Sequence, residues 1–100
     1  MSDHIYVVIY DRPSNFSPAK LHTFISGEKD FKDWWHFLES TYIIISSLSL
    51  NALQDKLADH FNGISFLILP VTLEAAGGML PQQAWDWISS RKISKSPWHL

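Results

Sequence analysis

The chain has 100 residues, enough for one domain with a single core, and 46% of them are hydrophobic, which excludes a largely disordered chain. It has no cysteine, so a disulfide framework and a thiolate metal site are both excluded. Its net charge of −2 with histidines neutral argues against a general nucleic-acid binder.

Ile5 to Tyr10 (Ile-Tyr-Val-Val-Ile-Tyr) reads as a strand, since β-branched and aromatic residues fit a pleated surface. It ends in a carboxylate, Asp11, and Pro13 and Asn15 supply turn chemistry after it. Ser17-Pro18 then opens a helix, with serine as N-cap and proline at the first helical position. Leu21, Phe24 and Ile25 share one helical face, and Gly27 is expected to close the helix as a C′ glycine. Residues 28–33 form a charged connector. Trp34 to Ser46 is too long and too apolar for one edge strand, so it is read as a hairpin or a bent pair of strands, with the break at Glu39-Ser40. Its second limb, 41–46, is apolar at successive positions, the pattern of a strand covered on both faces.

Ser49 caps a second helix whose stripe is Leu50, Leu53, Leu57 and Phe61, and Asn62-Gly63 ends it. Residues 64–69 make a last strand, stopped by Pro70. Pro81 starts a third helix carrying Ala84, Trp85, Trp87 and Ile88. Residues 1–91 are thus expected to form one domain, and 92–100 a mobile basic tail. The element order is that of an α+β, ferredoxin-like βαββαβ sandwich with an antiparallel sheet and an extra C-terminal helix. Two helices cover one sheet face. A second subunit or the C-terminal helix must cover the other, so a homodimer is expected. Trp85 and Trp87 point in nearly opposite directions on a helix, and are the expected contacts to a dimer mate or protein partner. No signal peptide and no membrane-length apolar run are read from the chain, so the expected location is the cytosol.

Val8-Ile9-Tyr10-Asp11 and Glu39-Ser40-Thr41-Tyr42-Ile43 resemble strand ends of the small CRISPR-associated ferredoxin-fold nucleases and of the related virulence-associated D toxins. Trp34-Trp35-His36 and residues 81–87 look closer still to short bacterial proteins labelled SinR-like. The resemblance covers most of residues 4 to 72. It implies a metal-dependent nuclease in which Asp11 is the catalytic and metal-binding carboxylate. Two copies of Asp11 would meet across a dimer axis, with Mg²⁺ between them. Arg12 would steady a phosphate oxygen, Ser40 would lie at the nucleic acid, and Trp34 or Trp87 would suit stacking on a base of single-stranded RNA or DNA. Against each stands a plainer reading: Asp11 as a solvated turn residue, the tryptophans as core or interface packing. His36 and Glu39 would pair only across a bulge, and a polar anchor at the hairpin is the commoner arrangement. Two functions stay open, the nuclease and a non-catalytic dimeric interaction module.

Overall fold

The computed structural model describes residues 3–92, and side chains through Arg91. The basic tail expected over 92–100 lies almost wholly outside the described residues. Seven elements follow in order: β1 (His4–Tyr10), α1 (Pro18–Gly27), β2 (Phe31–Leu38), β3 (Thr41–Ser46), α2 (Leu50–Phe61), β4 (Phe66–Pro70) and α3 (Gln82–Lys92). The four strands form one sheet in the order β2-β3-β1-β4, with every neighbouring pair antiparallel. The protein is therefore an α+β domain with a covered antiparallel sheet. No helix among the described residues is long and apolar enough to cross a membrane.

Local chemistry accounts for the boundaries. Ser17 Oγ accepts from Lys20 N–H at 3.2 Å, and Ser49 Oγ accepts from Ala52 N–H at 3.2 Å, so each serine satisfies one donor that its helix leaves orphaned. α2 stops at Asn62, which sits in the left-handed region at φ 47°, and Gly63 follows at φ 95°. Gly27 departs from expectation. It is the last residue of α1 with no left-handed turn, and the extended Glu28 caps the helix by donating to Ile25 O. β2 starts earlier than expected because Phe31 pairs with Ser46. β4 starts later, because Ile64 N–H is spent on Phe61 O in the turn after α2. The hairpin break at Glu39-Ser40 is where the sequence put it.

Alternation along the two central strands builds two cores. Tyr6, Val8 and Tyr10 of β1 and Tyr42 and Ile44 of β3 face α1 and α2, packing with Leu21, Ile25, Leu53, Leu57 and Phe61. Leu50, expected in the α2 stripe, is 39% exposed at the first position of the helix. The intervening residues point the other way. Ile43 and Trp35 pack with Leu73, Ala84 and Ile88, and Ile5 and Val7 lie against that cluster. α3 and the segment leading into it therefore cover much of the second face, the second of the two covers the sequence allowed. Ser46, fully buried, is satisfied: its Oγ donates to Asp30 O at 2.7 Å and accepts from Leu48 N–H at 3.1 Å.

The cover is incomplete. Val7 pairs with Leu69 and Ile9 with Leu67, so these four share the second face. Beyond the reach of α3, Ile9 is 40%, Leu67 53% and Leu69 42% exposed. Phe37, whose ring lies 5.4 Å from that of Trp35, is also exposed.

Candidate functional site

One end of the sheet gathers most of the polar residues singled out in the sequence. β1 leaves the sheet at Tyr10, whose N–H donates to Ser40 O at 3.1 Å; the next N–H, of Asp11, donates to Ser65 O at 3.0 Å. These two bonds clamp the exit of β1 between the β2–β3 turn and the start of β4. The Asp11 carboxylate is exposed at that exit. Arg12 turns back across the hairpin, its Nη1 2.9 Å from Glu39 Oε1, with its guanidinium 5.8 Å from the Phe16 ring centre. The Tyr10 hydroxyl donates to Glu39 O at 2.9 Å. Burial raises the Tyr10 pKa, and the positive charge of Arg12 opposes that rise. Asp11 and Arg12 border an open groove with Pro13, Gly63, Ile64 and Ser65.

Asp11, Arg12, Glu39 and Ser40 are thus neighbours, although 27 residues separate Arg12 from Glu39 in the chain. Trp34 is elsewhere. It pairs with Ile44, which pairs with Tyr6, five residues before Asp11 and roughly 16 Å along the strand at ~3.3 Å per residue. Its ring meets His22 edge-on at 4.9 Å and lies 6.2 Å from Tyr42, half-buried on the α1 side of the sheet. His36 and Glu39 do not pair. His36, two residues after Trp34, shares its face by strand alternation, and its ring stacks on Tyr42 at 4.0 Å. His36 Nδ1 donates to Thr41 O at 2.9 Å, so in the neutral ring the proton sits on Nδ1 and Nε2 is left as acceptor. This is the polar anchor at the hairpin.

Trp85 and Trp87 are both half-buried against the second core, so neither projects freely from α3. The buried stripe of the helix is instead Ala84 and Ile88, and Trp35 Nε1–H donates to Ala84 O at 3.2 Å. The Arg91 guanidinium lies 4.2 Å from the Trp87 ring centre and pairs with Asp33. The Trp87 indole N–H is buried without an acceptor.

Sequence reasoning missed one cluster. His22 Nδ1 lies 3.1 Å from the Tyr42 hydroxyl, with His36 stacked on the same phenol. Burial pushes the Tyr42 pKa up to about 12, with a smaller push from Tyr10. No spacing signals this cluster, because α1, β2 and β3 each supply one residue. The exposed strip of Ile9, Leu67 and Leu69 was legible in part: β4 reads Phe-Leu-Ile-Leu-Pro, apolar on both faces.

Compared with known protein families, with curated proteins and with solved structures, the chain shows no match. The site therefore rests on its own chemistry. Among the described residues no three histidine, aspartate or glutamate side chains gather as a metal-holding group. At Asp11 one chain offers a single free carboxylate, since Glu39 is turned to Arg12. A divalent cation takes six or more oxygen ligands, several of them from the protein in a dedicated site, so one copy of this site does not fit Mg²⁺ by itself.

Proposed function

We propose that this chain is a ferredoxin-like interaction module that works as a homodimer, joined through the part of the second sheet face that α3 leaves open. The fold assignment is supported by the strand order β2-β3-β1-β4 with two helices on one face. The observation that carries the function is the strip of Ile9, Leu67 and Leu69 beside the outer edge of β4. β4 has no charged residue along its five positions, so Pro70 and the shortness of the strand are its guards against strand pairing. An exposed apolar strip on the face beside that edge favours a partner, and a two-fold axis lets one strip serve both copies.

The test is sedimentation of the parent and of Leu67→Glu. The parent is expected to be a dimer at micromolar concentration. Leu67→Glu is expected to be a folded monomer, because Leu67 is already half exposed within one copy. A parent that stays monomeric at high concentration rejects the proposal.

A second reading is favoured by the position of Asp11. Ile9, Asp11, Ser65 and Leu67 line one shallow groove, so the exposed carboxylate borders the same apolar strip. A dimer formed on that strip would bring two copies of Asp11 near its axis, the arrangement that a metal-dependent nuclease of the resembled type uses. Arg12 then needs to leave Glu39 to reach a phosphate. If single-stranded RNA or DNA is cleaved with Mg²⁺, Asp11→Asn should abolish cleavage and leave the dimer intact. Undiminished cleavage by that variant moves the chemistry elsewhere.

A further inference from the structure

The two faces of the sheet are held by separate cores of unequal weight. The first draws buried residues from β1, β2, β3, α1 and α2, and none from α3. The second is Trp35, Ile43, Leu73, Ala84 and Ile88, and α3 supplies it with one alanine and one isoleucine. The sheet lies between them. Lifting α3 therefore breaks the second core and leaves the first whole.

The chain next to α3 and the helix itself suit such a movement. Leu73 is anchored in the second core, but residues 75–79 after it are all exposed, Met79 to 97%. Nothing lies within 4 Å of where a Cβ would stand on Gly77 or Gly78, so this stretch can turn without losing a contact there. The Trp87 indole N–H is buried without an acceptor while the helix is seated, and water satisfies it once the helix lifts. The bond from Trp35 Nε1–H to Ala84 O and the pairing of Arg91 with Asp33 are polar ties that water can replace.

We infer that α3 is a detachable cover, which opens as a unit on residues 75–79 while the sheet, α1 and α2 stay folded. Opening bares Trp35 and Ile43, with Ile5 and Val7 beside them. Val7 pairs with Leu69, so these residues join the Ile9–Leu67–Leu69 strip in one continuous apolar face. The seated helix withholds its part of that face from any partner. The inference stands whether or not the strip makes a dimer.

The chain has no cysteine, so a single introduced thiol can report on either side of the sheet. Ile43 and Ile44 are neighbours on β3 that belong to opposite cores. The test labels Ile43→Cys and Ile44→Cys with a thiol reagent, each with and without Ile88→Ala, at reagent levels where the rate follows the opening equilibrium. Ile43→Cys should label about a hundredfold faster than Ile44→Cys, as expected when one unit opens below the global barrier. Ile88→Ala should speed Ile43→Cys by a further ~thirtyfold, the ratio that goes with a large-to-small change in a core, and leave Ile44→Cys unchanged. Equal rates at the two positions, or equal acceleration of both by Ile88→Ala, overturn the inference, because α3 then opens only with the whole domain. Labelling of Ile43→Cys at the rate of a free thiol also overturns it, since no cover would then be seated. Should a cysteine variant fail to fold, amide exchange in the parent decides. Amides of α3 are expected to exchange well ahead of those of β1 and β3, and a common opening for all three rejects the cover.

Discussion

Single side chains set the pH limits of the fold. Tyr42 is buried between α1 and the sheet, and desolvation disfavours its phenolate, raising its pKa to about 12 from the ordinary tyrosine value of 10.0. The unfolded chain loses that proton near pH 10, while the folded chain holds it to about pH 12. The contribution of this group is therefore complete below pH 10 and is lost as pH rises toward 12. Tyr42→Phe should flatten the alkaline fall in stability, leaving the share of Tyr6 and Tyr10, whose pKa values burial also raises. Denaturant melts from pH 9 to 12 check this, and identical slopes in both proteins would assign the alkaline limb elsewhere. His60 acts at the acid side. Desolvation lowers its pKa as it stacks on Phe24 at 4.6 Å, so the folded chain resists a proton that the unfolded chain accepts. Stability should fall as pH drops below about 6.5, the unfolded histidine value, and His60→Phe should remove that part of the fall. Melts of both proteins between pH 5 and 8 read the difference.

At the scale of elements, the two central strands carry the fold: β3 is buried on both faces, and β1 is buried on the α1–α2 side with Ile5 and Val7 partly covered on the other. Ile44 of β3 is fully buried under α1 and α2, while its neighbour Ile43 lies under α3. Ile44→Asp puts an unpaired charge into the larger core and should cost about 4 kcal/mol or more, enough to unfold a domain of this size. A cooperative melt near the parent's would show that β3 is not central. The helix α3 is held differently. Ala84 and Ile88 carry its burial, the Ala84 carbonyl accepts from Trp35, and Arg91 ties its end to Asp33 of β2. That contact set explains why neither Trp85 nor Trp87 stands free: the stripe that faces the sheet passes between them, and each rests one edge on the second core.

For the whole molecule, the charge balance argues against strong binding to nucleic acid. Phosphate contacts draw on a basic surface, and this chain carries 8 Lys and Arg against 10 Asp and Glu. Of its two arginines, Arg12 pairs with Glu39 and Arg91 with Asp33. Binding to a single-stranded oligonucleotide should therefore be weak at physiological salt and should strengthen only as salt is lowered, which a fluorescence anisotropy titration at several salt concentrations measures. Tight, salt-insensitive binding would contradict this and would point to stacking on an exposed aromatic face.

The chain alone determined the order of elements, the serine caps of α1 and α2, the hairpin break at Glu39-Ser40 and the two-sided burial of β3. Each follows from residues a few positions apart: a cap and its helix, a turn and its strands, an alternation of side chains. It also placed Asp11 at an exposed strand end. What covers the second face was left open, because a second subunit and α3 would leave the same apolar pattern on β1 and β3. Only the packing of Ala84 and Ile88 on Trp35 and Ile43 decided for α3, and only the remaining exposure of Ile9, Leu67 and Leu69 marked where its cover stops. The pairing of Arg12 with Glu39 and the meeting of His22, Tyr42 and His36 were likewise decided in three dimensions. Such contacts join residues from separate elements, and local sequence carries no record of which elements will touch.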